Sequence, residues 1–180
     1  PWLRDVAGYD RSTVAGTLLL LAVAMVLGFV TLGTAAERLS RRGISTLSVG
    51  AMGMGFFMAV MVLIVSGNKS GVTLMWMLFG FFGTSGILPY AALSQSFPLR
   101  LSGRVNTALN LLVFLAAFAA QWGIGAIIGI WPTTGSGGYA PVGYQAAFGI
   151  LLAIQLITIF WFWFASALLK KASYEPVSNM

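Results

Sequence analysis

Five long stretches of this 180-residue chain contain no Asp, Glu, Lys or Arg. They cover residues 12–36, 44–66, 72–96, 105–131 and 142–169. Each exceeds the roughly 20 residues with which an α-helix crosses a ~30 Å hydrocarbon core. A single run of this kind reads as a buried core helix, but five in succession with almost nothing polar between them do not. Composition closes the soluble alternative. The chain is 58% hydrophobic and 8% charged, against about 25% charged residues in water-soluble domains. The runs are continuous rather than alternating, which argues against the short two-residue pattern of a membrane β-barrel. The predicted fold is all-α: a polytopic membrane protein whose five transmembrane helices make one domain over residues 1–180.

The missing residue types narrow the chemistry. Histidine and cysteine are both absent, which removes imidazole acid–base catalysis, thiol nucleophiles, Cys or His metal sites and disulfides. No enzyme, metal or cofactor is expected. The net charge is +6, but the basic residues lie between apolar runs rather than on a hydrophilic face. A lipid bilayer, not nucleic acid, is therefore the expected partner.

The distribution of those charges sets an orientation. The connections are short: Glu37–Gly43, Gly67–Gly71, Phe97–Arg104 and Pro132–Pro141. One side of the membrane collects Arg38, Arg41, Arg42, Arg100, Arg104, Lys170 and Lys171, and the other collects Arg4, Arg11 and Lys69. Positively charged loops stay in the cytoplasm, so the C-terminus is expected there and residues 1–11 outside. Trp131, Tyr139 and Tyr144 then fall near the outer interface. The aromatic run Phe160 to Phe164 falls toward the inner end of the last span, where it faces lipid. Five is an odd number of helices, and the opening PWLRDVAGYDR has no basic leader and reads like the outer exit of an earlier helix, with Trp2 as its anchor. The chain is therefore expected to be incomplete. The alternative is a genuine five-helix protein.

The first basic loop carries the most specific pattern. Gly33 ends an apolar helix, Glu37 and Arg38 follow, and Arg41 and Arg42 close the loop before the next helix. Taken alone, this is a positively charged cytoplasmic loop. It also resembles the loop motif G-x-x-x-D-R-x-G-R-R of the major facilitator superfamily. Gly33, Arg38, Arg41 and Arg42 match that motif; Glu37 stands at its acid position and Ser40 where glycine is usual. The later stretch FPLRLSGRVNTALNLLVFLAAFAAQWGIGAIIG is similar to loop 10–11 and helix 11 of uncharacterised bacterial members. The resemblance implies that the five spans correspond to helices 8 to 12, with residues 1–11 as the end of helix 7. It implies a multi-pass protein of a bacterial inner membrane that moves a small solute by alternating access. It also implies a missing N-terminal helical bundle, in the same chain or in a separate subunit, and the first, third and fourth spans as those that face the solute.

Polar residues within the spans are the candidate contacts. In the third span Gly80, Gly83 and Gly86 recur every three residues, Pro89 should kink or loosen the helix, and Thr84, Tyr90 and Gln95 supply hydrogen-bonding groups. A gating element fits this pattern, and so does a tight helix seam; Tyr90 is either a solute contact or a packed core ring. The fourth span places Asn106 and Asn110 one turn apart, and Gln121, Gly125 and Gly129 at spacing four. The second set reads first as a helix contact face, yet Gln121 near mid-membrane needs a partner, either a neighbouring helix or solute. Gln155 in the last span reads as an internal brace, and Met52, Met54, Met58 and Met61 as adaptable packing. No span holds an ionisable group, so any proton relay would lie elsewhere, or the solute moves by facilitated diffusion. The competing reading is a non-transporting structural or accessory subunit of a larger membrane complex. The apolar centre of the first span, Leu18 to Val30, favours that competitor.

Overall fold

The computed structural model describes residues 1–135 and 137–173, without the side chains of Gln95 and of residues 165–173. Its elements are α1 (Trp2–Asp5), α2 (Arg11–Ser40), α3 (Thr46–Val65), α4 (Val72–Gly83), a 3-10 turn (Thr84–Ile87), α5 (Leu88–Gln95), α6 (Leu99–Ile128) and α7 (Pro141–Ser173). Five segments are long and apolar enough to cross a membrane: α2, α3, the composite Val72–Ser94, α6 and α7. The fold is an all-helical, polytopic membrane bundle.

Each helix start has a local cause. Asp10 caps α2, accepting from the backbone N–H groups of Ser12 at 3.2 Å and Thr13 at 3.3 Å and from both hydroxyls. Ser45 caps α3 through Ser48 N–H at 3.1 Å. Gly67 and Gly71 both take left-handed φ, near 70° and 64°, and turn the chain sharply from α3 into α4. At thirty residues, α2 and α6 are each about 45 Å long. They therefore outreach the apolar layer. The last turns of α2 carry Glu37 and Arg38, and the first turns of α6 carry Arg100 and Arg104. Helix α6 thus begins at Leu99, ahead of the uncharged run that starts at 105, because helical hydrogen bonding does not stop where the hydrocarbon does.

The composite third span is interrupted. Helix α4 ends at Gly83, the 3-10 turn follows, and Pro89 sits in the first turn of α5. Proline is tolerated there because the N–H it lacks has no helical acceptor at that position.

Packing follows small residues. A Cβ placed on Gly28 of α2 would stand 2.5 Å from the Phe81 carbonyl oxygen and 2.6 Å from Thr84 Oγ1. One placed on Gly80 would meet Leu21 and Met25 at 3.1 Å. These two glycines let α2 and α4 cross at backbone distance. Helix α3 lies inside the bundle against α2, α4, α5 and α7, while α6 packs on α5 and α7. Two apolar clusters mark the ends. Trp2, Leu3, Val6, Ile64, Val72, Met75, Ile128 and Tyr144 close one end; Ala36, Val49 and Leu88 close the basic end. Between them, Leu111, Phe114, Phe118 and Trp122 on α6 and Phe160 to Phe164 on α7 stand largely exposed, as a lipid-facing surface requires. Thr31, Thr34 and Thr158 return their hydroxyls to carbonyls one turn back at 2.6–2.8 Å, so the apolar phase meets no free hydroxyl there.

Candidate functional site

Where α5 meets α6, five polar side chains form a ladder. Tyr90, in the first turn of α5, donates its hydroxyl to Asn110 Oδ1 at 3.2 Å. Ser94, one turn further, donates to Asn106 Oδ1 at 3.0 Å. Ser102 in the first turns of α6 reaches back to the Ser94 carbonyl at 3.2 Å. The i, i+4 spacing of Tyr90 with Ser94 and of Asn106 with Asn110 puts each pair on one helix face, so the two faces read each other like rungs. Asn110 is exposed and keeps hydrogen-bonding capacity beyond Tyr90. Gln95 ends α5, and its side chain lies outside the described residues.

A second feature lies at the other end of α6. Gln121 and Asn110 are eleven residues apart, about three turns and ~16 Å along the axis, so they share one face. Gln121 has no hydrogen-bond partner among the described residues. It lines an open cleft of about 490 Å³ with Trp2, Trp76, Gly125, Tyr139 and Tyr144. No atom outside the helix comes within 4 Å of a Cβ built on Gly125, and one on Gly129, the α6 C-cap, meets only carbonyls of its own last turn. Gln121 and Gly125 therefore border the cleft, and neither glycine is held against a neighbouring helix. The indole N–H of Trp76 is buried beside it without an acceptor among the described residues.

The remaining sequence candidates fall elsewhere. Thr84 is buried at the α2 seam, donating to the Phe81 carbonyl at 2.7 Å. Gly83 faces the Phe57 ring, and Gly86 faces open space. The expected helix end at Gly33 is not observed: α2 runs on to Ser40, so Gly33, Glu37 and Arg38 lie within the helix, whose hydrogen bonding continues past the apolar layer; Arg41, its C-cap, pairs with Glu37 at 2.7 Å, one turn away, while Arg38 and Arg42 are exposed. No atom comes within 4 Å of a Cβ built on Gly33. Gln155 Oε1 is buried without a partner among the described residues. The side chains of Lys170 and Lys171 lie outside the described residues.

Sequence reasoning passed over one constellation. The Asp5 side chain is 2% exposed and accepts from Tyr144 Oη at 2.6 Å, Tyr139 N–H at 3.2 Å and Arg4 Nε at 2.7 Å. Burial pushes its carboxyl pKa up, and the bonds from Arg4, Tyr144 and Tyr139 outweigh burial and hold it below the usual carboxylate value. The available signal was an acid directly after Arg4 beside an anchoring tryptophan. Its other partners, Tyr139 and Tyr144, are more than 130 residues away in sequence, and no local pattern names them.

The site thus offers neutral hydrogen-bonding side chains, one apolar cleft and a helix interrupted between them. Among the described residues no three His, Cys, Asp or Glu side chains come together. The sequence model of one family, described as sugar (and other) transporter, matches residues 1–177. This chain belongs to the sugar (and other) transporter family. No curated protein and no solved structure matches it. Membership accounts for the five spanning helices and for the resemblance of the Gly33–Arg42 loop to the major facilitator pattern. Helix α2 is uninterrupted along its seam with α4, whereas the third span is broken by the 3-10 turn between α4 and α5.

Proposed function

We propose that this chain is the C-terminal part of a major facilitator transporter, with α2 to α7 as helices 8 to 12 and α1 as the end of helix 7. It carries a small neutral solute across a bacterial inner membrane by alternating access, against an N-terminal bundle in the same protein or in a separate subunit. The observation that carries this reading is the α6 stripe. Asn110, anchored to Tyr90 beside the broken helix, and Gln121, at the cleft, lie on one face of a helix whose middle the other described helices leave exposed. A second bundle laid over that face would complete a polar path between the two membrane sides. The Lys/Arg bias supports a cytoplasmic C-terminus.

The test is a thermal-shift screen of the purified protein in nanodiscs against hexoses, pentoses, polyols and neutral amino acids, followed by vesicle uptake of any solute that stabilises it. Asn110→Ala and Gln121→Ala are expected to raise KM roughly 3- to 10-fold each, the worth of one neutral hydrogen bond. Uptake unaffected by both substitutions, or no solute bound by the protein with its full complement of helices, favours the accessory-subunit reading instead.

A further inference from the structure

Helix α6 carries a third face beside the one packed on α5 and the one that holds Asn110 and Gln121. With 3.6 residues per turn, Arg100, Arg104, Leu111, Leu115, Phe118 and Trp122 fall within an arc of roughly 60°, about a quarter turn from Asn110 and Gln121. The four apolar side chains are 57–72% exposed. Both arginines are exposed and pair with no carboxylate among the described residues. Glu37 is the one acid at that end among the described residues, and Arg41 holds it at 2.7 Å. Thr107, at the edge of the arc, spends its hydroxyl on the Gly103 carbonyl at 3.0 Å. Between Arg104 and Trp122 the arc contains no small and no polar residue. Helices that meet inside a membrane do so over small or polar side chains, as Gly28 and Gly80 do on the α2–α4 seam. This arc has the opposite character: two unpaired cations, then a strip of large apolar side chains.

We propose that this face of α6 binds an anionic phospholipid, with the phosphodiester held by Arg100 and Arg104 and an acyl chain laid along Leu111, Leu115, Phe118 and Trp122. The dimensions fit. Leu111 and Trp122 are about 16 Å apart along the axis, close to one leaflet of a ~30 Å hydrocarbon core. Arg104 lies ~10 Å beyond Leu111, at the depth of a headgroup, where a long side chain keeps its charge in the polar layer. A guanidinium fork matches two oxygens of one phosphate. Charge selects the lipid class. A zwitterionic headgroup brings its own cation toward two guanidiniums that have no acid beside them, whereas an anionic headgroup brings none. The site is separate from the face that holds Asn110 and Gln121, so it does not depend on the solute reading.

The chain has no cysteine, so Leu115→Cys places a single bimane label on the acyl strip. The full protein carrying that label is reconstituted in nanodiscs of mixed phosphatidylcholine and phosphatidylglycerol, with the acyl chains of one lipid or the other brominated to quench the label. Phosphatidylglycerol is expected to occupy the site with roughly 30-fold higher apparent affinity than phosphatidylcholine, the sum of two arginines near an anionic headgroup. Arg100→Gln and Arg104→Gln are each expected to lower that preference about fivefold, and together to abolish it. The double variant Arg38→Gln with Arg42→Gln removes the same charge from the same end of the molecule and is expected to leave the preference unchanged. Equal quenching by the two lipids overturns the site, because the face is then ordinary lipid-exposed surface. An equal loss in the Arg38 and Arg42 double variant also overturns it, since the attraction then comes from the whole basic end. Quenching by neither lipid overturns it as well, and marks the face as covered by protein.

Discussion

At the scale of single residues, the glycines divide into those the fold needs and those it does not. Gly28→Ala drives a methyl to within 2.5 Å of a backbone carbonyl, and backbone cannot step aside as a side-chain tip can. The substitution is expected to cost about 1–3 kcal/mol through overpacking. Gly55, in the middle of α3 with no atom within 4 Å of a Cβ, gives the opposite sign: Gly55→Ala is expected to stabilise by about 0.5–1 kcal/mol. Thermal unfolding of the two variants in the same detergent checks both. Asp10 permits a pH test. Its bonds to Ser12 and Thr13 hold the carboxyl down to about 2. A depressed pKa means that the cap contributes above the unfolded value, near 3.9, and is lost as pH falls toward about 2. Protection of the first-turn amides of α2, taken relative to their intrinsic exchange rate, is therefore expected to be low in Asp10→Ala at pH 6, and to fall in the unaltered chain only as pH approaches about 2.

At the scale of elements, the interrupted third span is the part most open to rearrangement. Its 3-10 turn buries Ser85 to 1% exposure against Gly53, with the hydroxyl lacking a partner among the described residues. An orphaned buried hydroxyl is an unfavourable feature of the conformation that buries it. Ser85→Ala keeps the Cβ contact and removes the hydroxyl, so it is expected to leave stability equal or raise it by up to about 1–3 kcal/mol. A denaturation midpoint below that of the unaltered chain would mean that the hydroxyl is engaged. The crossing of α6 and α7 contrasts with this turn. Gly143 lies 3.0 Å, by its built Cβ, from the Ile128 carbonyl, so the two helices are pinned close at the α1 end and diverge into lipid-facing aromatic surface. The glycine period and the proline of the third span marked a bend in the sequence. That Thr84 would turn into the α2 seam, while Tyr90 turned toward α6, depended on which way the broken helix rotated after the 3-10 turn.

At the scale of the whole molecule, the two ends differ in kind. One end is a basic aqueous fringe of arginines. The other is a packed cap of Trp2, Tyr144 and Ile128 around a single carboxylate. The proposed orientation is open to direct measurement. Asn68→Cys, in the α3–α4 turn, is expected to react with an impermeant reagent on intact cells, and Ser40→Cys, at the basic end, only after permeabilisation. The reverse pattern would invert the topology and place the Asp5–Tyr144 hydrogen bond on the cytoplasmic side.

The number of spans, their helical nature and the lack of thiol and imidazole side chains were legible in the chain alone, because hydropathy and residue inventory are local properties. Insertion into lipid depends on each 20-residue window almost independently. The Gly33–Arg42 pattern could be read for the same reason, being contiguous, but not that α2 carries most of it as helix through Ser40. Which residues meet across the bundle was not. These helices are apolar nearly all round, and lipid is as apolar as leucine, so no hydrophobic stripe tells one face from another. Small-residue fit and a few hydrogen bonds decide instead. Asn110 with Tyr90, Gly28 with Phe81, and Asp5 with Tyr144 across 139 positions exist only once the helices have packed.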